Sequence, residues 1–66
     1  MTDDQAAITR LIAEIEDAMR VVARNDEAKL RRALSLAAEA SRMPRGEHRA
    51  EMVRDAHALL RQGRHR

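Results

Sequence analysis

The sequence contains no cysteine and no aromatic residue, with one proline and two glycines among 66 residues. Without cysteine there is no disulfide, no thiolate metal site and no cysteine nucleophile. Without Phe, Tyr or Trp there is no large aromatic side chain to stack on unpaired bases, which excludes single-strand recognition by such stacking. Two glycines do not build a phosphate-cradling loop, and no G-x-x-x-x-G-K-[ST], G-x-G-x-x-G or H-E-x-x-H pattern occurs. No apolar run approaches the roughly 20 residues that span a bilayer, so no membrane contact is expected. The start, MTDDQ, is acidic and polar, unlike a secretory signal, and the expected location is cytoplasmic.

Charge, by contrast, is plentiful and uneven. The chain carries 13 Lys and Arg against 11 Asp and Glu, for a net charge of +2. Residues 1–28 hold seven acids and three bases, net −4, and residues 29–66 hold ten bases and four acids, net +6. Such polarity suits pairing of acidic with basic segments, or a basic surface for an anionic partner.

The strongest pattern lies in ITRLIAEIEDAMRVV. Ile8, Leu11, Ile12, Ile15, Met19 and Val22 fall within a stripe about 120° wide at helical spacing, and the charged residues lie outside it. A first helix is predicted over about 3–24, opened by the capping-box pattern Thr2-Asp3-Asp4-Gln5. Arg24-Asn25-Asp26-Glu27 reads as a break, because Asn and Asp terminate and cap helices. A second helix is predicted over about 26–42. Leu30, Ala33, Leu34, Ala37 and Ser41 form its inner line, and Leu36, Ala40 and Met43 widen one flank. Pro44 and Gly46 mark a turn. A third helix follows over about 47–62, with Val53, Ala56 and Leu60 central, Met52 and Leu59 beside them, and Gly63 placed as a C-terminal cap.

The expected fold is all-α: a small three-helix bundle, one domain over residues 1–63 with a basic tail over 64–66. The alternative is a hairpin of one long helix over 3–43 and the third helix, because steps of eleven residues return Met19 to Leu30 and Val22 to Ala33 on one face. Leaving out Met1, only fifteen large apolar residues are available. Chains this small usually need a staple, and with disulfides excluded, self-association is the expected one. The helix-packing and interface residues are Ile8, Leu11, Ile12, Ile15, Met19, Val22, Leu30, Leu34, Met52, Val53 and Leu60. Val21, Leu36, Met43, Met52 and Leu59 are surplus apolar edges for a partner to cover.

No catalytic, cofactor-binding or metal-ligating set is expected. Ser35 and Ser41 lie inside the second helix without a nucleophile elbow. His48 and Glu51, one turn apart, lack further ligands on their helix, and His57 borders the apolar stripe of the third. An active site shared between subunits is the remaining enzymatic reading. Arg49 falls inside the apolar sector of the third helix. It must snorkel to water or find a carboxylate, such as Glu14 or Asp17 of a neighbouring chain.

These features describe a small non-enzymatic helical interaction module, an adaptor, regulator or assembly factor. Its partner is a second copy, a dimer foremost, or a larger protein. The alternative is a small nucleic-acid-binding regulator using the basic half. Arg42, Arg45, Arg54, Arg64 and Arg66 would then contact phosphates, and two helices flanking a Gly-containing turn resemble a helix-turn-helix. Glu47, Glu51 and Asp55 on the same helix oppose that reading, because they repel a phosphate backbone.

Overall fold

Two local signals divide the chain into helices. At Asp26 the backbone is extended (φ −82°, ψ 98°), and its carboxylate accepts from the Lys29 amide at 3.3 Å. This side-chain cap satisfies one of the orphan donors of the following helix. At the other signal, Met43-Pro44-Arg45-Gly46, proline cannot donate within a helix, and Gly46 leads into the next helix in extended backbone. The computed structural model describes residues 5–21 and 26–64. Among them are three helices and no strand: α1 (Gln5–Met19), α2 (Glu27–Ser41) and α3 (Glu47–Gly63). The protein is an all-α three-helix bundle. None of these helices is long and apolar enough to cross a membrane.

The alternative of one helix over 3–43 is overturned. α1 stops at Met19, five residues before the expected end, and the extended Asp26 separates it from α2. The final turn tightens, with the Arg20 amide donating to Asp17 O and the Val21 amide to Ala18 O, both at 3.2 Å. These are three-residue steps, the usual way a helix closes. The β-branched Val21 that follows favours helix poorly. The predicted capping box at Thr2, Asp3 and Asp4, the stripe residue Val22, and Arg24 and Asn25 of the break lie outside the described residues, as does Arg66.

α2 is the middle helix. It packs on both others, whereas α1 and α3 touch each other only lightly. The core takes Ile8, Leu11 and Ile15 from α1, Leu30, Ala33, Ala37 and Ala40 from α2, and Val53, Ala56 and Leu60 from α3. The α2 line is small apart from Leu30, which lets two neighbours approach one helix closely. Ile12, Met19, Leu34, Leu36, Met52 and Leu59 pack around this core and stay partly exposed. Val21 is 52% exposed.

Gly63 differs from its expected role. It is not a cap beyond the helix but the buried last residue of α3. A Cβ there would lie 3.0 Å from Leu30 Cδ2 and 3.3 Å from the Asp26 carbonyl oxygen. The glycine is required by this close approach, not by a left-handed backbone. Its carbonyl accepts the Asp26 amide at 2.9 Å, which fastens the end of α3 to the cap of α2.

Substituting Gly63→Ala therefore sets helix propensity against space. Alanine gains up to about 1 kcal/mol in helix propensity, but overpacking costs about 1–3 kcal/mol, and the new methyl would meet both the fully buried Leu30 and the Asp26 backbone oxygen. The expected outcome is a less stable protein, seen as a lower midpoint in thermal unfolding followed by circular dichroism. A raised midpoint would contradict the packing argument.

Candidate functional site

Two features stand out once the core is accounted for. The first is Arg49, in the first turn of α3 and only 5% exposed. Its guanidinium does not snorkel. Nη1 donates to the Met43 carbonyl at 3.2 Å, and Nη2 donates to Gln5 Oε1 at 3.0 Å. Nε is buried without a partner. The arginine thus joins the beginning of α1, the α2–α3 turn and the beginning of α3. Glu14 and Asp17, its expected carboxylate partners, are exposed on α1, and Asp17 pairs instead with Arg20 at 3.2 Å. Within the chain the structure does not bring Arg49 to either of them. Gln5 was not legible as the partner, because 44 residues separate the pair and its position near a helix start already had a capping explanation.

The second feature is a groove along the outer side of the α2–α3 pair. Ala28, Lys29, Arg32 and Leu36 of α2 line it with Asp55 and Leu59 of α3. Its volume of about 620 Å³ lies within the usual range of binding sites, about 300–1,000 Å³. The leucines are the partly buried edges that the sequence marks as surplus. Met52 stands seven residues before Leu59 on α3, nearly the same helical angle, and extends the apolar strip.

The charges along the groove are uncommitted. Among the described residues the side chains of Lys29, Arg32 and Asp55 form no hydrogen bond or ion pair. Elsewhere on α2, Arg31 is held by Glu27 at 2.8 Å. Lys29 and Arg32 thus present positive charge from one bank and Asp55 presents negative charge from the other. In water an exposed pair gains little by closing, about 0–1 kcal/mol, so such charges stay free for a partner that removes the water.

The remaining predicted residues are dispersed. Arg42, Arg45, Arg54 and Arg64 are exposed, and so are Glu47, Glu51 and Asp55. Bases and acids alternate across the surface of α3. Ser41 donates to the Ala38 carbonyl at 2.7 Å, so its hydroxyl is occupied inside α2. No group of three His, Asp or Glu side chains that could hold a metal ion occurs among the described residues.

Substitution of Arg49 separates its stem from its charge. Arg49→Ala removes both and leaves a cavity, at an expected cost of about 2–4 kcal/mol. Arg49→Met keeps the stem and also removes a buried charge with an unpaired donor, so it is expected to stay within about 1 kcal/mol of the parent. Urea unfolding measures both. A Met variant as unstable as the Ala variant would show that the guanidinium hydrogen bonds, not the stem, hold the junction.

Compared with protein-family models, curated proteins and solved structures, the chain matches none.

Proposed function

We propose that this protein is a non-enzymatic helical interaction module that works through the α2–α3 groove. One observation carries the reading. Leu36 and Leu59 remain partly uncovered between charges of both signs that have no partner among the described residues. An aliphatic floor with charged banks is the arrangement that receives an amphipathic helix, whose apolar anchors recur at three- and four-residue steps. The strip also suits docking energetically, because closing it removes aliphatic surface from water and desolvates charges that a partner can match. Ile8, Leu11 and Ile15, the large apolar residues at the centre of the α1 stripe, are spent inside the chain.

The nucleic-acid reading rests on the exposed Arg42, Arg45, Arg54 and Arg64. Their interleaving with Glu47, Glu51 and Asp55 weakens any continuous phosphate track. Within the proposal they keep the module charged and soluble.

Selection of displayed amphipathic-helix peptides against the whole protein tests the proposal. Enriched peptides should carry aliphatic anchors at helical spacing. They should lose at least about tenfold in affinity when the protein carries Leu36→Glu or Leu59→Glu with its helical circular dichroism intact. Failure to enrich any helix with a chain that sediments as a monomer, or enriched helices that bind both variants unchanged, would remove the proposal. Salt-sensitive binding of duplex DNA in a gel shift, with no peptide enriched, would favour the phosphate reading instead.

A further inference from the structure

We infer that the partner seated in this groove is a second copy of the chain, docked about a two-fold axis that runs along the groove. The inference rests on the interaction reading above and names the partner. It follows from the distribution of charge on the two banks. α2 contributes Lys29 and Arg32, α3 contributes Asp55, and the leucines lie on the same groove. Because α2 and α3 are antiparallel neighbours joined by a short turn, the banks run side by side along the helices.

Two symmetric ways of closing the groove on itself differ in sign. An axis across the groove lays α2 on α2, with Lys29 and Arg32 facing their own copies and repelling. An axis along the groove lays α2 of each chain over α3 of the other. Lys29 and Arg32 then face Asp55 of the second copy, twice over, as every contact in a two-fold interface is repeated. Leu36 and Leu59 of both chains close between the charges, with Met52 extending the strip on α3. The result is a four-helix layer whose seam is apolar and whose rims carry opposite charges, the usual anatomy of a specific interface. The charge pattern of the two banks is self-complementary. It supplies the staple that a 66-residue chain without cysteine lacks in itself.

The test uses the whole protein and reads mass by sedimentation equilibrium at about 100 µM, a concentration at which a micromolar dimer is nearly complete. The unmodified chain should run at twice its 7.5 kDa. Lys29→Glu combined with Arg32→Glu should weaken the dimer at least about tenfold, and so should Asp55→Lys alone, because each sets like charges against each other. All three positions are exposed, and helical circular dichroism should be retained. The two variants mixed in equal amounts should recover the dimer, because both banks of the mixed pair then carry opposite charges. A dimer that ignores the reversals, or reversals that mixing does not rescue, would overturn the inference. An unmodified chain that stays monomeric would overturn it as well, while the peptide selection would still decide whether the groove docks some other helix.

Discussion

The spacing between α2 and its two neighbours is the constraint on which the rest of the molecule depends. Ala33, Ala37 and Ala40 are sealed to zero exposure down the inner side of α2. Small side chains there let one helix serve two partners, and Leu30 fills the end of the line. Larger residues would separate the helices and open the packing that buries Ile15 and Val53. The close approach recurs at Gly63, where even a methyl group would press on Leu30. A chain with so few large apolar residues gets its tight interior by bringing backbones together, not by adding side-chain volume.

Arg49 occupies the other end of the assembly in a different way. Three segments converge there, and a long, flexible stem fills the space while its head reaches two carbonyl oxygens. Buried charge is generally a poor source of stability, and its best-attested use is to fix how segments align. Here the specificity is geometric: the guanidinium pairs the beginning of α1 with the α2–α3 turn and so selects which end of α1 lies beside that turn.

Much of this was legible in the residues and some was not. The stripe through Ile8, Leu11 and Ile15, the cap at Asp26 and the turn at Pro44 are local signals, and each appears where the pattern places it. The end of α1 was not legible, because in the sequence Val22 continues the helical spacing, whereas the backbone already tightens at Arg20 and Val21. Gly63 was legible only as a cap, because the close approach of Leu30 that requires it depends on how α2 and α3 are set together. The groove was half visible. Leu36 and Leu59 could be marked as surplus from periodicity, whereas the alignment of Lys29 and Arg32 opposite Asp55 depends on how two helices are set side by side. Arg49 was visible as an anomaly, and its partners were not, since a backbone carbonyl and a remote glutamine leave no signature in composition.

The bond between the Asp26 amide and the Gly63 carbonyl has a kinetic meaning as well as a static one. It closes the α2–α3 hairpin at the end opposite its turn, making a ring of two helices held at both ends, with α1 laid against one side. A closed hairpin of neighbouring segments forms quickly, because little chain must be searched before its contacts are made. α1, joined mainly to α2, can then dock onto a surface that already exists. In the native state the same hierarchy runs in reverse. The backbone amides of α1 are the ones expected to exchange with solvent through partial opening, while those of the ring wait for global unfolding.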